Sequence, residues 1–351
     1  MKIAVLLSGG VDSSVALARL HEQGHDITAF YLKIWLEDEL SFLGDCPWEQ
    51  DLSYARGVCE KLGIPLEVVP LQKEYHERIV SYTVAEVQAG RTPSPDVLCN
   101  TRIKFGAFLE AVGKNFDAVA SGHYAQIIKT DGDVQLRRSP DAVKDQTYFL
   151  AHLSSEQLAH IMLPIGDLQK EEVRALAHKY DLPTKDRKDS QGICFLGKIS
   201  FAQFIEHYLG TKPGDIVELE TGHVLGQHKG FWFHTIGQRK GLGLSGGPWF
   251  VVRKDTEKNI VYVSRDYFSP DKKRDSFIMR DVHWITGQRP DKQELRVKVR
   301  HGPHDQSATL TYHDDGTVHV QLTERDQGLA SGQFAVFYDN DICLGCGVIE
   351  S

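Results

Sequence analysis

The chain has 351 residues, 41% hydrophobic and 25% charged, the balance of a soluble globular protein of two or three domains. Lys and Arg number 40 against 48 Asp and Glu, a net charge of -8, which excludes a uniformly basic coat but not a local basic face. No apolar run is long enough for a bilayer, and Met1 leads almost directly into a strand-like run, so the expectation is a cytoplasmic protein with no membrane contact. The six cysteines (Cys46, Cys59, Cys99, Cys194, Cys343 and Cys346) then read as thiols rather than a disulfide framework.

In chain order, KIAVLLS is a continuous apolar strand, and residues 11–23 carry helical periodicity up to Gly24. DITAFYLKIW reads as a second strand, LSYARGVCEKLG as an amphipathic helix closed by Gly63, and PLEVVPL as a third strand. RIKFGAFLEAVGKN predicts another helix and FDAVASGHYA a fourth strand. Strands alternating with helices imply an α/β domain with a doubly wound parallel sheet covered on both faces. From about residue 200 helical patterns become scarce. Short strands (IVYVSR, LRVKVR, SATLTYH, TVHVQL, QFAVFYD) follow between turn residues, with a break near YFSPDKKRDS. The expected organisation is an α/β unit over 1–200, a small mixed unit over 201–273 and a C-terminal β-barrel over 274–351.

The first strand runs into SGGVDSS and then a helix. Such a turn aims backbone N–H groups and the positive helix end at whatever lies above it. Gly9 and Gly10 permit close approach of an anion, Ser8, Ser13 and Ser14 add hydroxyl donors, and Asp12 is placed to orient a metal-bound phosphate. The lysine of the Walker motif is absent. The string Ser-Gly-Gly-x-Asp-Ser is similar to the pyrophosphate loop of the adenylating ATP pyrophosphatases. That resemblance implies ATP with Mg²⁺, a loop that holds the departing pyrophosphate, and AMP transferred to a substrate oxygen.

Adenylation of a carbonyl oxygen calls for a nucleophile. Cys99 in TPSPDVLCNTRIKF and Cys194 in DSQGICFLG sit among turn residues, where a thiol would be exposed and mobile; a buried small hydrophobe is the alternative reading. The strings LSGGVDSS, RTPSPDVLCN, IKFGAF, ASGHYA, KDQTYFL, DSQGICFLG, HTIGQRKGLGL and SGQFAVFYD run end to end through the chain. Together they resemble the bacterial tRNA 2-thiouridylase family, which places sulfur on position 2 of the wobble uridine.

The resemblance implies a persulfide on Cys194 and a partner nucleophile at Cys99 that releases sulfur by forming a disulfide with Cys194. It makes Asp96 a general acid/base near the uridine; from the sequence alone a turn-capping role stays open. Leu6, Leu7, Ser8, Gly9, Gly10, Val11, Asp12 and Ser13 match the ATP loop, Leu32 a position whose backbone meets adenine, and Gly122 the edge of the nucleotide crevice. Ser94, Pro95 and Asp96 match the target-base region, and His123, just after a strand, is placed to position the nucleotide or the uridine, with a structural histidine as the alternative. Lys144, Asp145 and Gln146, with Arg300, His301 and Gln333, match positions that touch tRNA.

Implied partners are the Lys, Glu and Gln tRNAs and a sulfur donor such as a cysteine desulfurase or a relay protein. An iron–sulfur cluster on the same cysteines is the other use left open. The rival activities are an amidating synthetase and a non-catalytic RNA-binding or sulfur-carrier protein.

Three departures stand out: Ser94 in place of the family's usual Asn before Pro-Asp, SQGICF in place of STGICF, and Cys346 in CLGCG where a glycine is usual. Residues three apart on a strand face opposite ways unless a bend, here from Gly345 or Gly347, intervenes. Cys343 and Cys346 are therefore expected to be structural thiols rather than zinc ligands or a redox pair. Basic clusters at 237–240, 252–254, 272–274 and 296–300, near Trp249 and Trp284, are the expected RNA-facing segments.

Overall fold

The computed structural model describes residues 1–34, 48–130, 133–189, 200–269 and 274–350. Cys46, Cys194 and the end of the second expected strand lie outside them.

The first unit is built on β1 (Lys2–Leu6), β2 (Asp26–Lys33), β3 (Leu66–Pro70), β4 (Ala118–Ala120) and, beyond the hairpin β5 (Ala125–Thr130) and β6 (Asp133–Arg138), β7 (Ile161–Met162). These five pair in parallel in the order β3-β2-β1-β4-β7. Ile3 and Val5 join one core, with Val15 and Leu17 of the helix Val11–Glu22 and with Val58 and Val173. Ala4 and Leu6 join the other, with Tyr75, Ile79, Val97 and Ile103. Alternate side chains of one strand are thus buried on opposite faces, as a doubly wound sheet requires. β1 lies between β2 and β4, so the chain order reverses there, and the loops after β1 and β4 flank the crevice where such sheets bind ligands.

Two expectations need correction here. FDAVASGHYA is not one strand: β4 ends at Ala120, and Ser121–Tyr124 cross over the loop that follows β1 before β5 begins. Gly122 forces this course. A Cβ there would lie 2.7 Å from the backbone of Asp12 and Ser13, so the two loops touch main chain to main chain. The second correction is at 95–111, where Pro95–Cys99, Asn100–Ala107 and Phe108–Ala111 follow one another as helical segments, the middle one wide-turned and kinked at Phe105, whose backbone (φ -114, ψ 15) is not helical. Pro95 at the first helical position presets φ, and Val97, Leu98 and Cys99 are buried. Cys99 is therefore a buried helix residue, 4% exposed, and not the mobile loop thiol its turn-like neighbours suggest.

The second unit opens on the helix Phe201–Leu209, which the sequence reading missed although Ser200 and Gln203 form a reciprocal cap. Behind it β8 (Gly214–Glu218), β9 (Val224–His228), β10 (Phe250–Asp255) and β11 (Ile260–Ser264) form a sheet in the order β10-β11-β8-β9 over Ile216, Val251, Val261 and Val263. The third unit comprises β12 (Arg274–Trp284), β13 (Glu294–Lys298), β14 (Gln306–Tyr312), β15 (Val318–Asp326), β16 (Phe334–Asp339) and β17 (Ile342–Glu350). Their order, β12-β15-β14-β13-β16-β17 with β12 pairing back to β17, closes a six-stranded barrel.

The barrel is fastened to the first unit. β6 pairs with β17 at Leu136–Cys343, and Lys298 reaches Asp145 at 3.0 Å with both side chains at most 2% exposed. Along β17, Phe337 faces Gly345 while its neighbour Tyr338 faces Cys343, so Leu344 is the extra residue of a bulge. That bulge turns Cys343 and Cys346 to the same side, into the core shared with Tyr148 and Leu150. Burial raises both thiols far above their ordinary range, which opposes the thiolate that zinc requires. Among the described residues no cluster of three potential metal ligands occurs. Purified protein is accordingly expected to carry no stoichiometric zinc, and one bound zinc per chain by elemental analysis would overturn this reading.

Candidate active site

The loop after β1 is shaped to hold an anion. Gly9 has φ +75, and a Cβ on it would sit 2.2 Å from the Asp51 carbonyl oxygen; only glycine fits. Ser13 Oγ accepts from the Ser8 N–H at 3.2 Å, and Ser13 Oγ and Ser14 Oγ donate to the Gly10 carbonyl at 3.1 and 2.8 Å. The helix Val11–Glu22 starts after Gly10 with no side-chain cap, which leaves its first N–H groups facing the crevice. Leu6, Leu7 and Val11 are buried beneath the loop, and Leu32 sits near the end of β2 against the core.

A lysine is present after all, delivered from a distance. Lys170, opening the helix Lys170–Lys179, places Nζ 2.7 Å from Asp12 Oδ1 and 2.9 Å from Asp189 Oδ1. Lys144 and Arg174 also bind Asp189, at 2.8 and 2.5 Å. Burial alone would raise the Asp189 carboxyl; Lys144 and Lys170 overcome it and hold that carboxyl far below the usual range. Arg187 donates to the Gly9 carbonyl at 2.6 Å and pairs with Asp51, bracing the loop from outside. Three cations against Asp12 and Asp189 leave a positive field beside the cradle. Asp12 Oδ1 also accepts from the Tyr124 hydroxyl at 2.8 Å, while Oδ2 has no hydrogen bond among the described residues.

The Asp96 helix lies on the other side of the Ser121–Tyr124 crossing. His123 Nδ1 is 2.8 Å from Ser121 Oγ, and its ring lies 6.2 Å from that of Phe105. Burial, then the Lys104 charge, holds His123 well below its ordinary pKa, so the imidazole is neutral. Lys104 also faces Asp96, as does His301 from the barrel. Asp96 is half-buried and makes no side-chain hydrogen bond among the described residues. Burial raises its carboxyl above the usual aspartate range, and the Lys104 charge, then His301, offset only part of this. One helical turn on, Asn100 Nδ2 donates to the Asp96 and Phe149 carbonyls at 3.2 and 3.0 Å. His301 stacks on Phe149 with centroids 4.6 Å apart.

Not every expected residue faces a ligand. Asp145 is spent on the Lys298 ion pair and on the Thr147 hydroxyl, so it braces the Lys144–Gln146 turn rather than meeting a partner from solvent. Gln146 Oε1 is taken by the Tyr124 N–H at 3.0 Å. Arg300 is exposed and pairs with Asp326. Gln333 follows the Leu329–Gly332 turn, where Ser331 accepts from the Thr92 N–H at 2.8 Å, so the barrel abuts the approach to Ser94 and Pro95. Cys194 lies outside the described residues. Lys104, Lys170, Arg187 and Asp189 were missed; as isolated charges far from the glycine loop they gave no motif.

The comparisons with known proteins follow the same divisions. Residues 1–198 match a family model described as a tRNA methyl transferase HUP domain, 202–265 a PRC-barrel domain of that enzyme class, and 274–349 an aminomethyltransferase beta-barrel domain. The chain is 49% identical over 356 residues to a protein of Parabacteroides distasonis and 48% identical to one of Bacteroides thetaiotaomicron, covering 99% of both chains in each case. It is 49% identical over 360 residues to a protein of Porphyromonas gingivalis, again over 99% of both. All three relatives are named tRNA-specific 2-thiouridylase MnmA.

Proposed function

Because the chain belongs to the MnmA family of tRNA-specific 2-thiouridylases and is a tRNA sulfurtransferase, we propose that it uses ATP to adenylate the C2 oxygen of wobble uridine 34. Sulfur carried as a persulfide on Cys194 then replaces that oxygen. The supporting observation is the contact of Tyr124 and Gly122 with Asp12 beside the glycine cradle, with His123 between them in the chain and the Lys104 charge acting on both His123 and Asp96. Asp96 and the buried Cys99 share one short helix.

In this reading the uridine oxygen attacks the α-phosphorus of ATP, and pyrophosphate departs into the Gly9–Ser14 cradle, where N–H groups and the Lys170 field stabilise it. A Mg²⁺ ion accompanying ATP suits Asp12 Oδ2, since one carboxylate oxygen plus phosphate oxygens is an ordinary magnesium ligand set. The Cys99 thiolate next attacks the inner sulfur of the Cys194 persulfide. A Cys99–Cys194 disulfide forms, and the outer sulfur leaves as hydrosulfide, attacks C2 and expels AMP with the original oxygen. Asp96 handles the proton of the sulfur nucleophile. A dithiol reductant must restore the two thiols before another turnover, and a desulfurase or relay protein reloads Cys194. The substrates are the Lys, Glu and Gln tRNAs, in the cytoplasm. The reading is tested by the nucleotide products: tRNA-dependent release of AMP and pyrophosphate is expected, and ADP with phosphate would exclude adenylation.

The raised Asp96 carboxyl gives a second expectation. The folded state binds this proton more tightly than the unfolded chain. Its contribution therefore favours the fold at acid pH and is lost as pH rises through the raised pKa. At neutral pH the ionised form is a burden that asparagine lacks. Asp96→Asn should be at least as heat-stable as the parent, yet lose about 10²-fold or more of its thiolation rate. Thermal unfolding together with nucleoside mass spectrometry decides it: lost stability would mark Asp96 as structural.

The double variant Cys343→Ala/Cys346→Ala should keep most of its thiolation, because both buried thiols are core-filling side chains of β17 and neither belongs to the phosphate loop or to the Asp96 helix.

A further inference from the structure

A cavity of about 160 Å³ opens where the first and second units meet. Arg91 and Pro95, on the approach to the Asp96 helix, form one wall; Trp232, His234, Thr235 and Lys254 of the second unit form the other. No carboxylate lines it. Arg91 is already satisfied, its Nε and Nη2 on Glu86 at 2.7 and 2.5 Å. Lys254 is not: among the described residues its ammonium has neither an ion pair nor a hydrogen bond, and burial pushes its pKa down to about 8. His234 is 7% exposed, and its buried Nδ1 has no hydrogen-bond partner. Burial first, then the charges of His228 and Lys254, hold its pKa down to about 4, so it offers a neutral hydrogen-bonding ring rather than a second charge.

A half-buried ammonium with no counter-charge is costly, and so is a buried ring nitrogen without a partner. Both lie on the wall of one cavity, and an anion with several acceptor oxygens would relieve the ammonium directly. We propose that this cavity takes a backbone phosphate of the substrate RNA, with Lys254 as its counter-charge and Thr235 and His234 as its hydrogen-bonding walls. The assignment rests on the tRNA reading above. RNA is favoured over a free anion because the cavity shares Pro95 with the helix that carries Asp96. A chain that delivers a base to Asp96 carries a phosphate on either side of that base, and the partly buried Trp232 lines the same cavity. A phosphate held here fixes the register of the RNA without reading its sequence.

The test is substrate tRNA binding across a salt series, with Lys254→Gln, Lys254→Arg and the parent chain. Lys254→Gln should bind several-fold more weakly, and its slope of log K against log salt should shrink by about one phosphate contact. Lys254→Arg should recover both. Unchanged affinity and slope in folded Lys254→Gln would overturn the assignment. Calorimetry with inorganic phosphate separates the two sources of anion. Tight phosphate binding lost in Lys254→Gln, with RNA binding untouched, would make this a free-anion site and refute the RNA assignment. If the parent chain bound no tRNA at all, the functional reading itself would fall, and the cavity assignment with it.

Discussion

Cys99→Ser is expected to abolish 2-thiolation of tRNA, by about 10³-fold or more, while the protein stays folded and still forms AMP. Serine keeps the volume of the buried side chain but not the nucleophilicity of sulfur toward a persulfide. Its hydroxyl in a largely apolar setting costs about 1–3 kcal/mol if left unpaired, which a domain with two buried sheet faces tolerates. The thiol sits at the junction of a short α-turn and a π-helical segment. Such wide turns recur at functional sites, and this one runs from Cys99 to the kink at Phe105, both of them buried. Cys194→Ser should have the same phenotype through loss of the sulfur carrier. Nucleoside mass spectrometry of treated tRNA, beside an AMP assay, separates the outcomes. Substantial thiolation by either variant would remove that cysteine from the mechanism. Loss of AMP formation in Cys99→Ser would show that the thiol serves adenylation or the fold instead.

The sheet was legible because its central strands β1 and β4 are buried on both faces and so read as apolar runs. Ile3 to Leu7 need no partner to announce a strand. The barrel strands were legible for the opposite reason: alternation between Gly, Asp and Pro turns, as in SATLTYH. FDAVASGHYA failed because a period-two pattern carries no sign that main chain must leave the sheet to meet another loop. Only the space around Gly122 shows that. The stretch TPSPDVLC failed because Pro and Asp, read as turn residues, equally well open a helix when Val, Leu and Cys follow.

At the site, whatever belonged to one contiguous string could be read, and what the fold assembles could not. The glycine cradle and Asp96 come from local motifs. Lys170 lies 158 positions from Asp12, and Lys298 lies 153 from Asp145; no spacing rule connects them. Charge counting could not show which cations the fold pairs. In the cluster at 296–300, Lys298 is buried in an ion pair, Arg296 is bound to Asp305 and Arg300 to Asp326. In the cluster at 252–254, the half-buried Lys254 has no counter-charge among the described residues.

Lys170→Met is expected to lower tRNA-dependent AMP formation by about 10²–10³-fold and to weaken ATP binding, with tRNA affinity unchanged. Methionine keeps the length of the stem but leaves Asp12 with the Tyr124 hydroxyl alone as an Oδ1 partner. Asp189 keeps Lys144 and Arg174, so the loss falls on the loop side of the network. Two roles must be told apart: charge balance for Asp12, or a field that favours the departing pyrophosphate. Loss of charge balance alone should be cured by removing the second charge, so Lys170→Met/Asp12→Asn would then regain stability and turn over as fast as Asp12→Asn alone. A field acting on pyrophosphate predicts otherwise: the double variant recovers thermal stability but falls well below the rate of Asp12→Asn, because neither asparagine nor methionine supplies a cation. Lys170→Arg should restore part of the rate, since the helix start at 170 still carries a positive group to the cradle. Turnover in the double variant equal to that of Asp12→Asn would reduce Lys170 to a structural counter-ion and leave the helix N-terminus alone as the phosphate site.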